Sequence, residues 1–281
     1  MSDFSASYLE IDEDELVDFL LKEAGQSERS EVNPQELLDY LKLRYIAVDL
    51  AREVVGIQSG PPIQAPRALI SFHDRLIATD SSLDPNRTRF SVLHEIAHYI
   101  LPHHQNSLYL CDQRAMGFDT PVTFEQEANR IAARMLFLAD RFDIEANSHP
   151  ICAASVKKLA LQYQASFEAT ARRLAERTYR DCMFMSFKED QSHAINSDKS
   201  KRWNLRYCIP SPSFRHKYFA GFTRGSVPQN TADQVATFSD IAQSCTVQTK
   251  LTIPGGSESK EFRAEYFHNS FNIFCLLTPN S

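Results

Sequence analysis

The chain has 281 residues, 43% of them hydrophobic and 23% charged, which provides for a substantial core and two domains and excludes a fibre or a wholly disordered chain. Its net charge of −6 argues against nucleic acid as the principal partner, because phosphate contacts need clustered Lys and Arg. No apolar run approaches the roughly 18 residues of a membrane-spanning helix. The acidic opening MSDFSASYLEIDEDE has neither the basic nor the apolar region of a secretory leader. The expected compartment is therefore the cytoplasm, with cysteines 111, 152, 182, 208, 245 and 275 reduced; none has the C-x-x-C spacing of a zinc knuckle.

In chain order, Leu16, Phe19, Leu20 and Leu21 punctuate the charges of Asp12 to Asp18, the pattern of a surface helix with a solvated acidic face. A second helix is predicted over Pro34 to Leu43, with Leu37, Leu38 and Leu41 inward, and a strand over Tyr45 to Asp49. Gly60-Pro61-Pro62 marks a loop. Ala68 to Asp80 reads as two short strands around a turn near His73 and Asp74, since Ile70, Phe72, Leu76 and Ile77 are strand formers.

The next helix carries the strongest chemical signal. Asp84 and Pro85 suit the cap and first helical position, and Pro102 cannot continue a helix, so residues 85–101 are bounded at both ends. Within it His94, Glu95 and His98 form H-E-x-x-H. Residues four apart on a helix lie about 40° apart around the axis and roughly 6 Å along it, so both imidazoles can meet one ion. Phe90, Leu93, Ala97, Ile100 and Leu101 form an apolar stripe beside them. Two imidazoles, one further ligand and an open position suit Zn²⁺, with Mn²⁺ or Fe²⁺ as alternatives. Glu95 is then placed to take a proton from water and pass it to a leaving amine.

Two segments compete for the third ligand. His104 lies six residues after His98, as in the pattern H-E-x-x-H-x-x-G-x-x-H, but Leu101 stands where that pattern has its glycine and Pro102 follows. The segment from 103 to 121 reads as irregular, and Tyr109, His103 or His104 could serve there as a second electrophile. The other source is a helix over Thr123 to Leu138, with Thr123 and Gln126 as a capping box. Glu125, Ala128, Asn129, Ala132 and Leu136 share one of its faces, and Glu127 points roughly opposite to Glu125. Only one of the two glutamates is expected to face the cleft. The small residues on its face favour Glu125, with Asn129 bonding one of the histidines and Glu127 left as a solvated charge.

Further on, helices are predicted over Val156 to Tyr163 and Phe167 to Thr178, the second capped by Ser166 and decorated by Arg172, Arg173, Arg177 and Arg180. A supporting hairpin with a solvated basic face is the expectation, ahead of a helix-turn-helix DNA reader. Glu189 to Lys201 reads as a loop. Strands are expected within Cys182 to Phe187, Leu205 to Ile209, Tyr218 to Phe222, Thr246 to Ile253 and Phe262 to Leu277, with Trp203 and Phe222 in a core.

R-x-R-F-S-x-x-H-E-I-A-H from Arg87 to His98, followed by E-x-x-A-N-R-I-A-A-R-M-L from Glu125 to Leu136, resembles the ImmA/IrrE family of zinc metallopeptidases. The resemblance covers roughly the first 180 residues. It implies His94, His98 and Glu125 as zinc ligands and Glu95 as the catalytic carboxylate. It departs at Phe137-Leu138-Ala139, where many members end the helix with proline. The implied architecture is α+β: a zincin-like core with a small mixed sheet over residues 1–150, a helical hairpin of helix-turn-helix type over 151–181, and a β-rich, GAF-like sensor domain over 182–281. The implied function is a cytoplasmic endopeptidase acting on a DNA-binding repressor. A DNA-binding or ligand-sensing regulator with a purely structural metal is the alternative.

Overall fold

A computed structural model describes residues 12–55, 66–105, 122–189, 203–218, 245–252, 259–268 and 272–280. It is a mixed α+β chain that divides into two compact units, Met1–Phe142 with Gln162–Gln164, and Asp143–Leu161 with Ala165–Ser281. No described helix is long and apolar enough to cross a membrane. Cys152, Cys182, Cys208 and Cys275 form no disulfide.

The first unit begins with α1 (Glu13–Glu23), capped by the Asp12 side chain on Asp14 N–H, and α2 (Pro34–Leu41), capped by Asn33 with Pro34 in the first turn. Strand β1 (Arg44–Val48) and the short helix α3 (Leu50–Val55) follow. Then come β2 (Ala68–Ser71) and β3 (Leu76–Asp80), joined by a turn in which the Ser71 hydroxyl bonds Asp74 and Arg75 takes φ 51°. The hairpin is the expected one. The sheet order is β1-β3-β2, with β3 central, antiparallel to β2 and parallel to β1 in the register Arg44↔Leu76 to Val48↔Asp80. Ile77 and Thr79 are fully buried in that central strand, and Thr79 bonds the Tyr45 hydroxyl across the parallel pair at 2.9 Å.

Helix α4 (Pro85–Ile100) lies on β2 and β3. Phe72 of the hairpin turn stacks against Tyr99 of α4, and Arg75 sits over the same ring. Its other neighbour is α5 (Val122–Leu136), and the two meet through fully buried small residues, Ala97 on one and Ala128 and Ala132 on the other. Helix α1 braces α5 from outside. Arg130 pairs with Glu13, and the buried Arg134 guanidinium contacts Asp14, Asp18 and Asp140 at 3.0–3.3 Å. The acidic face of α1 is thus turned in part onto α5 and is not wholly solvated, while Phe19 is exposed and Val17 takes its place in the core. Thr123 is not a cap: it lies inside α5, one turn of helix having formed ahead of Gln126. The helix ends at Leu136 because Leu138 and Ala139 both enter the left-handed region, with φ 51° and 55°.

The second unit holds α6 (Asp140–Ser148) for most of its length, α7 (Ala153–Gln162) and α8 (Phe167–Arg177). Ser166 caps α8 as expected, accepting from Ala169 N–H at 3.1 Å. Arg177 pairs with Asp143 and Arg172 with Glu176, and Arg180 donates to the Ala146 and His149 carbonyls. Strands β4 (Met183–Glu189) and β5 (Trp203–Pro210), helix α9 (Pro212–Tyr218), and strands β6 (Cys245–Thr252), β7 (Ser259–His268) and β8 (Asn272–Pro279) complete it. They form an antiparallel sheet of order β5-β4-β8-β7-β6.

Alternation along these strands splits the side chains between two faces. Met183, Met185, Phe187, Phe262, Tyr266, Ile273, Cys275 and Leu277 form one core with Trp203 and with Phe214 of α9. On the other face Phe184, Phe267 and Phe274 gather around Phe167 of α8. Tyr218 ends a helix and does not begin a strand as expected. Phe222, Gly60-Pro61-Pro62 and all but the first residue of the expected 189–201 loop lie outside the described residues.

Candidate metal centre

Asp84 caps α4 by accepting from Arg87 N–H at 3.1 Å, so the register of His94 and His98 is set from a firmly anchored end. Their Nε2 atoms lie 3.1 Å apart. From α5, Glu125 reaches the same point: its Oε2 is 3.2 Å from His94 Nε2 and its Oε1 is 3.5 Å from His98 Nε2. The three side chains expected to meet do meet, and each offers one donor atom to a common focus. With zinc–ligand bonds of roughly 2.0–2.1 Å, the edges of a tetrahedron measure about 3.3 Å. The three observed separations bracket that value, so the donor set fits a tetrahedral divalent ion in size as well as in chemistry.

The electrostatics agree. Burial opposes a charge on His94, but the hydrogen bond it donates to Glu125, the charges of Glu95 and Glu125, and a hydrogen bond it donates to Asn129 outweigh it and raise its pKa above the usual value of 6.5. Hydrogen bonds from His94 and then His98 hold the Glu125 carboxyl far below the usual range, against the opposing effect of burial. Asn129 therefore takes up the supporting position expected from its place one turn after Glu125. Glu95 is buried, with 7% exposure. Burial is the main cause of its raised pKa; the nearby histidines pull the other way and Glu125 adds to the rise.

His104 and Glu127 depart from expectation. A further helical turn, residues 102–105, folds back beside α4. His104 is fully buried there, and its Nδ1 lies 2.9 Å from His98 Nδ1, on the side of the ring away from the Glu125 focus. Its Nε2 lies 2.9 Å from Glu127 Oε2, which also takes a bond from His103 Nε2 at 2.7 Å. Phe124 stacks on the His104 ring at 4.3 Å. Glu127 is thus not a solvated charge. Burial would raise its pKa, but bonds from His103 and His104 lower it. Burial above all, opposed by Glu127, pushes His104 down to about 4, so the ring is neutral. Only Glu125 reaches the His94/His98 focus, as expected; the helical wheel of α5 carries no information about the segment at 102–105, which Glu127 meets instead. Tyr109 lies outside the described residues.

Residues 59–175 match the family model described as the IrrE N-terminal-like domain. Among solved structures, a Mycobacterium tuberculosis transcriptional regulator is similar in fold, with a TM-score of 0.57 and 14% identity over 95% of this chain and 75% of that one. No curated protein matches the sequence. The matched span contains the hairpin, α4 with both histidines, α5 with Glu125, α7, and all but the last two residues of α8. The chain accordingly carries, over residues 59–175, an IrrE N-terminal-like domain of the ImmA/IrrE family.

Proposed function

We propose that the chain is a zinc-dependent endopeptidase with a zincin-like core, in which His94, His98 and Glu125 hold the metal and Glu95 is the general base and acid. The observation that carries this reading is the convergence of His94 Nε2, His98 Nε2 and Glu125 at tetrahedral spacing, with a buried carboxylic acid on the residue next to a ligand. Zinc, when bound, supplies Lewis acidity that polarises a carbonyl and makes water acidic enough to attack near neutral pH.

The chain's own residues supply the rest. Glu95 takes a proton from the attacking water onto a carboxylate oxygen and passes it to the amine nitrogen as the peptide bond breaks. Its raised pKa suits both halves of that task, since a carboxylate that is too weak a base could not accept the proton. Strand β2 is an edge of the first sheet among the described residues and lies against α4, so an extended peptide can add to it by backbone hydrogen bonds. The substrate class that the family resemblance favours is a DNA-binding repressor, with the β-rich second unit as a GAF-like sensor and the compartment cytoplasmic.

The similarity in fold to a protein named as a transcriptional regulator favours one second reading, a regulator with a structural metal. Glu95 separates the two, because a structural site has no use for a buried acid beside its ligand. Purified zinc-loaded protein is incubated with repressors encoded beside its gene, and one discrete cut is expected. Glu95→Gln should keep its zinc and its fold, and cleavage should fall by about 10²–10⁴-fold. Undiminished cleavage by the variant would refute the mechanism, and no cut of any repressor by the native chain would favour the regulator.

A further inference from the structure

Behind the Glu125 focus, His103, His104 and Glu127 form a second group whose ligand-type atoms converge. We infer that His104 and Glu127 are positioning residues that hold His98 in the tautomer its metal-facing nitrogen requires, and that they do not bind a second ion. This rests on the reading that His94, His98 and Glu125 hold the metal.

The argument is a count of protons. A neutral imidazole has one N–H and one lone pair. His98 Nε2 faces His94 Nε2 and Glu125, at 3.1 and 3.5 Å. For it to donate a lone pair there, the His98 proton must sit on Nδ1. That atom is 2.9 Å from His104 Nδ1, which must then accept. The His104 proton is thereby placed on Nε2, 2.9 Å from Glu127 Oε2, and a carboxylate oxygen accepts it. Each gap along the row from Glu127 to His98 contains one proton.

A second ion held by His103, His104 and Glu127 breaks the count. It would need the lone pair of His104 Nε2 and so drive the His104 proton onto Nδ1. Two N–H groups would then oppose each other across the 2.9 Å gap to His98. Neutral imidazoles can fill the first site or the second, but not both. The row is also built to keep its order: His104 is fully buried and stacked on Phe124 at an interplanar angle of 15°, so its ring has no water to turn towards. Groups that orient a ligand from behind in this way typically change metal affinity by about 10–100-fold when removed.

The test uses the full chain and zinc alone. In the zinc-loaded native protein, ¹⁵N–¹H correlation of the imidazoles is expected to show His98 protonated on Nδ1 and His104 on Nε2, with one zinc per chain. Chelator competition should show His104→Phe, which has no acceptor, binding zinc about 10–100-fold more weakly. His104→Asn, whose amide oxygen can stand near the position of Nδ1, should recover most of the loss. A proton on His104 Nδ1, a second zinc lost in Glu127→Gln, or unchanged affinity in His104→Phe would overturn the inference. If the native chain takes up no zinc, or His94→Ala binds it as the native chain does, the underlying site assignment has failed. If His94→Ala abolishes binding and His104→Phe does not weaken it, only the positioning row has failed.

Discussion

Zinc binding should be lost on acidification with a slope that the site geometry dictates. To serve as a ligand, His94 must give up the proton on Nε2, the atom that faces Glu125 at 3.2 Å. Burial resists that proton, but Glu125, Glu95 and Asn129 together hold it to a pKa above 6.5. Glu125 stays ionised throughout, because the two histidines hold its carboxyl far below the usual range. Below the His94 pKa every zinc bound must therefore expel at least one proton, and apparent affinity falls at least tenfold per pH unit, about 1.4 kcal/mol each. The assay is chelator competition from pH 8 down to 5. Glu125→Gln supplies the sharper half: it should bind zinc more weakly at pH 8, yet its break should come at a lower pH, because the carboxylate that raised His94 is gone. A pH-independent affinity, or a break moved to higher pH in Glu125→Gln, would refute the assignment of these side chains to one site.

The metal-free protein should show the converse. His94, raised in the fold, contributes stability that is fully present below its unfolded value of 6.5 and is lost as pH rises through the folded pKa. Glu125, lowered in the fold, contributes stability present above 4.5 and lost as pH falls through its folded pKa. Glu95, raised by burial, penalises the folded state increasingly as pH climbs above 4.5. His94 and Glu125 place the best stability of the metal-free first unit between those two values, Glu95 pulls it towards the lower one, and added zinc should raise Tm most at higher pH.

Ala128 is fully buried, one turn after Glu125, on the face by which α5 meets α4. Ala128→Leu should cost about 1–3 kcal/mol by overpacking and should weaken zinc binding; calorimetry and chelator competition check the two, and unchanged zinc affinity would mean that close helix approach does not place Glu125. In the second unit, Phe214 lies 4.8 Å from the Tyr218 ring and 5.6 Å from Phe262. Phe214→Ala should cost about 3–5 kcal/mol, read as a lower urea midpoint in the fluorescence of Trp203, the single tryptophan and a member of the same cluster.

Local signals carried much of this structure. The Asp84-Pro85 start and the Pro102 stop bound α4, Ser166 marks the start of α8, and the strand formers of Ala68 to Asp80 on either side of a turn give the hairpin; in each case the determinant lies within a few residues of what it determines. What was hidden is non-local or short. The parallel pairing of β1 with β3 joins residues 32 positions apart, Arg44 with Leu76. Helices α3, α6 and α9 are only six to nine residues long and show little periodicity. A signal for α9 was nevertheless present. Ser211 accepts from Phe214 N–H at 3.1 Å and Pro212 opens the helix, a cap and first-turn pair six to seven residues ahead of the aromatic Tyr218.

The fate of His104 shows how one missing glycine can redirect a side chain. Spacing alone puts it where a third histidine ligand would be, at the front of the site. A glycine at position 101 could have turned the chain sharply through the left-handed region. Leu101 instead leaves α4 in an extended conformation, φ −87° and ψ 110°, and the next turn closes at once as His104 N–H bonds the Leu101 carbonyl at 3.1 Å. The ring is thereby delivered to Nδ1 of His98 and not to the Nε2 side, which Glu125 reaches from another helix. The same backbone choice that disqualifies His104 as a ligand places it where it can orient one.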